Sequence, residues 1–368
     1  MKQSLYIHIP FCERKCFYCS FVVSIAQEER IDEYLNCIEM EMGRYPSEPW
    51  SSIYIGGGTP SLLSAAQLGR LLKIIADHGK RDRDVEFTVE LNPESISAEK
   101  IKVLLNGGVN RLSMGVQTFH DHGLNFLGRN HTAFKALESY ELLRREGADN
   151  INIDLMFAYP NQDRVSLEKD LAVLAELRSE HVSLYGLTID EKSRFFVQKV
   201  KGHNPQREAR DYSFIIERLA KSGLKQYEIS NFARSGRESR HNINYWRGGN
   251  YIGLGVGAHS HKDGRRFWNK DRLTEYLKDV QQNRPPVANQ EVLTPEQRLV
   301  EAILFGLRMN EGVDLAFLRE RFGCGLDRSR EEKLQGFVKD GFLLFHDNRL
   351  RTTLKGRMVL DEISARLI

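Results

Sequence analysis

The chain has 368 residues, enough for two or three domains and a substantial buried core. Its 53 Lys and Arg against 50 Asp and Glu leave a formal charge of +3, which argues against a strongly basic binder, so no nucleic-acid partner is expected. With 41% hydrophobic and 28% charged residues, the composition is that of a soluble globular protein and excludes disordered, collagen-like and disulfide-scaffold classes.

In chain order, residues 5–9, 53–55, 85–91, 111–116, 150–156 and 181–187 are short, apolar and often β-branched, and read as buried strands. Helix patterns lie between them. Ile31, Leu35, Ile38 and Met42 make one apolar face, Leu68, Leu71, Leu72 and Ile75 a second, and Leu167, Leu171, Leu174 and Ala175 a third. Ser64 and Gln67 have capping-box spacing at the start of the second. Strands that each precede a helix imply an α/β protein with a parallel sheet and right-handed crossovers, either open or curled into a barrel. Function then collects at the carboxyl ends of the strands, where Cys12, residues 56–58, Glu90, Gln117 and Asp154 fall.

Residues 1–230 are read as this core and 231–293 as an irregular connecting region rich in Gly, Asn, His and aromatics. Residues 294–368 read as a small helical module that opens on Thr294 as N-cap, with Pro295 and Gln297 behind it. Its helix, helix, hairpin order is winged-helix-like, but its charge is mixed, against a DNA-binding role. No apolar run approaches the roughly 20 residues a bilayer demands, and residues 1–10 read as a strand rather than a leader. A cytoplasmic location is expected, with peripheral contact to the inner face of the membrane left open.

Five cysteines stand at positions 12, 16, 19, 37 and 324, an odd number that suits a reducing compartment. Cys12, Cys16 and Cys19 form C-x3-C-x2-C just after the first strand, a loop able to wrap three thiolates around one inorganic centre, with Arg14 and Lys15 offsetting their charge. Zinc ordinarily takes four protein ligands, and His8 is the candidate for a Cys3His site. The other readings are unrelated free thiols and a [4Fe-4S] cluster with one iron left open for a further ligand. Cys37 and Cys324 are read as packing residues.

Gly56-Gly57-Gly58-Thr59-Pro60 allows a tight turn and a close backbone approach to a ligand, and equally a plain strand-to-helix connection. Glu90 ends a strand, either as a ligand for hydroxyls or ammonium or as a salt-bridge partner. Asp154 sits inside an apolar strand and wants a partner, for which Arg129 is the candidate. In His241-Asn-Ile-Asn-Tyr-Trp246 a neutral imidazole is a possible haem ligand and Tyr245 and Trp246 flat surfaces for a porphyrin, the alternative being an aromatic clamp that packs a loop on the barrel. The run 253–259, Gly-Leu-Gly-Val-Gly-Ala-His, reads as a loop lining the pocket.

The cysteine loop in this strand context resembles the radical S-adenosylmethionine superfamily. Tyr6-Ile-His-Ile-Pro10, Ile55-Gly-Gly-Gly-Thr-Pro-Ser-Leu-Leu63, Gly115-Val-Gln-Thr-Phe119, Leu127-Gly-Arg129, Asp154-Leu-Met156 and His241-Asn-Ile-Asn-Tyr-Trp246 extend the likeness over nearly the whole chain. Together they resemble the oxygen-independent coproporphyrinogen III oxidase-like family and, within it, the HemW-type haem chaperones. The resemblance implies a partial (β/α)6 radical-SAM barrel with a C-terminal helical domain. It implies that Cys12, Cys16 and Cys19 bind a [4Fe-4S] cluster and that Tyr6, Gly57 and Glu90 contact cluster-bound S-adenosylmethionine. Tyr18, Gly58, Thr59, Gln117, Arg129 and Asp154 match contacts to a second S-adenosylmethionine in decarboxylating relatives. Those relatives carry a further cysteine where this chain has Phe21, and an N-terminal arm where the first strand here starts at Leu5. Another departure is Phe157-Ala158, where relatives usually have His-Gly. The expected function is a haem chaperone that passes haem to respiratory cytochromes and takes electrons from a donor protein. The alternatives are a coproporphyrinogen III dehydrogenase and an enzyme that opens or methylates haem.

Overall fold

A computed structural model describes residues 3–45 and 49–368. Six strands, β1 (Gln3–Ile9), β2 (Trp50–Gly57), β3 (Arg81–Leu91), β4 (Arg111–Gln117), β5 (Ile151–Phe157) and β6 (His181–Gly186), lie side by side in chain order, all parallel. The helices between them include α1 (Ile31–Met42), α2 (Ala65–His78) and α3 (Ala98–Asn106). The expected capping box at Ser64 and Gln67 is formed.

Strand periodicity explains the layering. Leu5, Ile7 and Ile9 of β1, Ile53 and Ile55 of β2, and Phe87 and Val89 of β3 join one core with Leu35, Ile38, Leu71 and Ile75 of the helices. Their alternates face the concave side and are polar. Because the core is on one face only, each strand's register is held by its apolar half.

The region 231–293 is not irregular. β7 (Asn231–Ala233) runs antiparallel along β6. The chain then crosses to the other edge through the short helix Arg240–Trp246. There β8 (Asn250–Leu254) adds a further parallel strand beside β1, followed by antiparallel β9 (His259–Lys262), β10 (Arg265–Asn269) and β11 (Val287–Val292). With the two-residue strand Lys225–Gln226 paired antiparallel to β7 at the far edge, the described residues form a 12-stranded sheet that is open at both ends, a partial barrel rather than a closed one. Polar and Gly-rich strands near a sheet edge lack a continuous apolar signature, which hides them in the sequence.

The run 253–259 also departs from expectation, since it ends β8 and turns behind the sheet, away from the main cavity. Gly255 and Gly257 have φ of +99° and +67°, and the turn wraps two side chains. Tyr34 Oη donates to the His8 carbonyl at 2.7 Å and accepts from Val256 N at 3.0 Å. Glu41, fully buried on α1, accepts from Gly255 N, Asn269 Nδ2 and Tyr276 Oη at 2.8, 2.6 and 2.7 Å. At the end of β5, Ala158 adopts φ +58°, a left-handed conformation that glycine takes without a steric penalty.

A second core joins Leu299, Ile303, Leu334, Leu343, Leu350 and Ile363. It is built from helices Pro295–Gly306, Leu315–Phe322 and Arg328–Lys339, the hairpin Leu343–His346 and Arg349–Thr352, and a final helix Leu360–Leu367. The Thr294 capping box is present. No helix among the described residues is long and apolar enough to cross a membrane.

Burial pushes Glu41 from the usual 4.5 up to about 7, against the hydrogen bonds it accepts. A carboxyl raised on folding contributes stability that is complete below pH 4.5 and is lost as pH rises through about 7. Denaturation midpoints should therefore fall between pH 5 and pH 8, and Glu41→Gln should flatten that slope. An unchanged slope in the variant removes Glu41 as its source.

Candidate functional site

The carboxyl ends of the parallel strands open onto a cavity of about 450 Å³. Cys12, Cys16, Cys19, Tyr18, Gly57, Gly58, Thr59, Glu90, Gln117, Arg129 and Asp154 all line it, so eleven of the thirteen residues singled out from sequence meet in one place. Tyr6 and His241 do not.

The cysteine loop is tied to the glycine turn by backbone. Gly58 N donates to Ile9 O at 2.8 Å and Thr59 N to Phe11 O at 2.9 Å. A Cβ on Gly58 would lie 2.8 Å from Pro10 and Phe11 backbone, and one on Gly57 would lie 2.5 Å from the His8 ring, so both positions need glycine. Thr59 Oγ1 meets Cys12 Sγ at 3.5 Å and accepts from Asn92 Nδ2 at 3.1 Å. Arg129 donates to Cys16 Sγ at 3.5 Å, to Asn92 Oδ1 at 2.7 Å and to Gly115 O at 2.8 Å. Its buried Nε lacks a partner among the described residues. Arg14 donates to the carbonyls of Gly128 and Arg129, bracing the Arg129 backbone from outside. All three cysteines are free thiols; burial pushes Cys12 up to about 11 and raises Cys19 as well.

His8 cannot complete a zinc site as placed. Its Nε2 bonds the Val22 carbonyl at 2.8 Å and its Nδ1 the Tyr6 hydroxyl at 3.0 Å. Among the described residues no three Cys, His, Asp or Glu side chains converge as ligands of a single ion. The closed Cys3His arrangement is therefore not formed, whereas a cluster, whose protein ligands sit on different irons, does not require such convergence.

Below the rim, the concave face is a hydrogen-bonded polar layer. Glu90 accepts from Tyr54 Oη at 2.7 Å and from Gly57 N at 3.0 Å, and burial, with Asp154 nearby, pushes it up to about 7. Asp154 accepts from Asn152 Nδ2 at 2.7 Å and Ser113 Oγ at 3.2 Å and is raised by burial. The expected Arg129–Asp154 pair is not present, because Arg129 is committed to the cysteine rim and Asp154 to strand neighbours. The cation facing both carboxylates is Arg111, buried in the cavity wall. Gln117 enters the cavity from a β-bulge with φ +73°, a local rule broken at the site.

Tyr6 stands behind Tyr54 with its hydroxyl on His8, outside the cavity lining. His241 is not in a loop. It lies in the helix Arg240–Trp246, only 1% exposed, with Nδ1 on Ser52 Oγ and Nε2 on Tyr245 Oη, both at 2.9 Å. Its ring packs 5.0 Å from that of Tyr54, and burial, with Arg111, lowers its pKa to about 3. With both nitrogens engaged, the neutral imidazole serves as floor beneath the cavity rather than as an open ligand. Glu86 anchors this helix by accepting from the backbone N–H groups of Arg240 and His241 at 2.8 and 2.9 Å.

Sequence reading missed Tyr54, Asn92, Arg111, Ser113, Asn152, Ser183 and Tyr185, which line the cavity. The signal was period two. Arg111, Ser113, Gly115 and Gln117 share one face of β4, and Asn152, Asp154 and Met156 one face of β5.

Comparison with known proteins shows the family. A family described as the radical SAM superfamily matches residues 6–174, and one described as the HemN C-terminal domain matches residues 293–359. The chain is 37% identical over 370 residues to the heme chaperone HemW of Bacillus subtilis, covering 98% of both chains. It is likewise 37% identical over 375 residues to heme chaperone HemW of Lactococcus lactis, again covering 98% of each. Among solved structures, coproporphyrinogen III oxidase (HemN) from Escherichia coli superposes with a TM-score of 0.88 at 24% identity, covering 100% of this chain and 90% of the other.

His241→Ala should lower the free energy of unfolding by about 2 kcal/mol, because it strips partners from two buried hydroxyls. A denaturant midpoint equal to that of the parent would show that the imidazole does not support the floor.

Proposed function

Since the chain belongs to the HemW-type haem chaperones within the radical S-adenosylmethionine superfamily, we propose that it binds haem together with a [4Fe-4S] cluster and S-adenosylmethionine, and hands haem to respiratory cytochromes. The observation that carries this reading is the meeting of three free thiols and a glycine turn at one strand-end cavity.

The residues present suit the cofactors. Three thiols on one short loop are the donor set of a cluster that keeps an iron open. Gly57 and Gly58 form a cradle that any Cβ would fill. Such a cluster, when bound, supplies the electron that cleaves S-adenosylmethionine held at the open iron.

In this reading Cys12, Cys16 and Cys19 hold the cluster, with Thr59 and Arg129 placed to donate to the sulfurs of Cys12 and Cys16. Gly57 and Glu90 offer a backbone and a carboxylate to the methionine and ribose parts of the ligand, while Tyr6 steadies Tyr54 behind them. Tyr18, Gly58, Gln117 and Asp154 shape the remaining wall. Glu90, raised to about 7, can hold or release a proton near neutral pH. Phe21, 66% exposed at the mouth, presents an apolar face where decarboxylating relatives have cysteine. An electron donor protein is required by this chemistry, and a cytoplasmic setting accords with free thiols.

Cys16→Ala should lose all cluster iron after anaerobic reconstitution while its far-ultraviolet spectrum stays that of the parent; a retained iron count overturns the ligand assignment. Haem should bind stoichiometrically and pass to an apocytochrome. Repeated turnover of coproporphyrinogen III to the divinyl product would sink the chaperone reading in favour of the dehydrogenase.

A further inference from the structure

A second cavity, of about 80 Å³, lies between β8–β10 and the C-terminal helices, outside the site described above. Arg266, Arg298 and Arg321 all line it, against a single lining carboxylate, Glu301. The guanidinium carbons of Arg298 and Arg321 stand 5.2 and 5.0 Å from the centroid of the same Phe322 ring. Two like charges are thus held against one face group, and Arg321 has its pKa lowered by burial and by Arg298. Arg321 is braced there through the carbonyls of Arg247 and Gly248, each at 3.2 Å. Arg298 has no carboxylate within ion-pair distance among the described residues. Glu301 is already taken by Arg266 Nη1 at 2.7 Å, and Arg266 Nη2 is taken by Glu291 at 2.7 Å. The Nε–H of Arg266 is buried with no acceptor among the described residues. His261, on the same wall, donates Nδ1–H to the Gly249 carbonyl at 3.1 Å, since a carbonyl can only accept, and so keeps Nε2 available.

Three guanidinium groups gathered on a cleft lined by one carboxylate give it a net positive lining that an acidic ligand complements, and their planar forks match carboxylate and phosphate oxygens. We propose that this cleft binds a compact oxyanion, a carboxylate or phosphate group, gripped by Arg298 and Arg321 over Phe322, with Arg266 on the facing wall. The volume suits such a group and not a whole macrocycle. Its source is either a propionate arm of haem, with the ring lying outside, or free phosphate. The first source rests on the haem-binding reading; the second does not.

Calorimetry on the full chain separates these. Haem, haem dimethyl ester and inorganic phosphate are titrated into the parent and into Arg298→Gln, whose side chain is half-exposed and can be lost without unfolding the protein. If a propionate occupies the cleft, Arg298→Gln weakens haem about tenfold, and the dimethyl ester binds the parent no more tightly than haem binds the variant. If phosphate is the occupant, it binds the parent once per chain and is lost in Arg298→Gln while haem is unaffected. Haem and phosphate titrations both indifferent to Arg298→Gln overturn the proposal. Phosphate binding that depends on Arg298 in a protein that takes up no haem would sustain the cleft and sink the chaperone reading.

Discussion

The arrangement rests on two backbone hydrogen bonds, from Gly58 to Ile9 and from Thr59 to Phe11, which lock the glycine turn after β2 against the exit of β1. They form only because neither Gly57 nor Gly58 carries a Cβ, and the atoms such a group would meet are a buried ring and main chain that cannot yield. Once the turn is seated, Thr59 reaches both Cys12 and Asn92, Asn92 reaches Arg129, and Arg129 reaches Cys16. The cysteine loop, the turn and the ends of β3 and β4 become one continuous rim. A loop of three thiols with no such tie would have to order itself on the metal.

Beneath the rim the concave face departs from the usual filling of a barrel by branched aliphatics. It carries two carboxylates, a guanidinium, amides and hydroxyls, and Glu90 and Asp154 are met by hydrogen bonds rather than by direct ion pairs. Burying charged groups in this way costs stability that only complete hydrogen bonding limits. The raised Glu90 and Asp154 show that cost directly. The helix Arg240–Trp246 closes the bottom of this layer, held by Glu86 at its start and by His241 at its middle. The HNxxYW motif therefore has a structural role in this fold whatever else its residues do: His241 bears on Ser52 and Tyr54, while Tyr245 faces the oxyanion cleft on the far side.

The strands and helices of the first 230 residues were legible because their apolar residues recur at two and at 3.6, and each element is buried on a known side. Residues 231–293 were not, since β9, β10 and β11 are polar, short or at the sheet edge, and strand pairing there comes from neighbours rather than from the residues themselves. At the site, the cysteines and glycines could be found as contiguous runs. Arg111 and Tyr54 could not be recognised singly, because an arginine or tyrosine in a strand reads equally as solvent-facing. The Asp154–Arg129 pairing was a sound demand for a partner with the wrong partner, for Ser113 and Asn152 satisfy the carboxylate from its own and the neighbouring strand.

By itself the sequence determined what depends on residues close along the chain: the three-thiol loop, the tight glycine turn, the helix caps at Ser64 and Thr294, and the alternation that makes one face of each strand apolar. These are short-range properties, set by backbone freedom and side-chain period. Tertiary structure decided which distant groups meet. It put His241 under Tyr54 instead of in the cavity, turned the 253–259 run behind the sheet, gave Arg129 to Cys16, and brought Arg298 and Arg321 onto one ring. The reason is register: a shift of one residue between neighbouring strands exchanges the faces of every side chain, and no local pattern in a single sequence specifies which strand will be the neighbour.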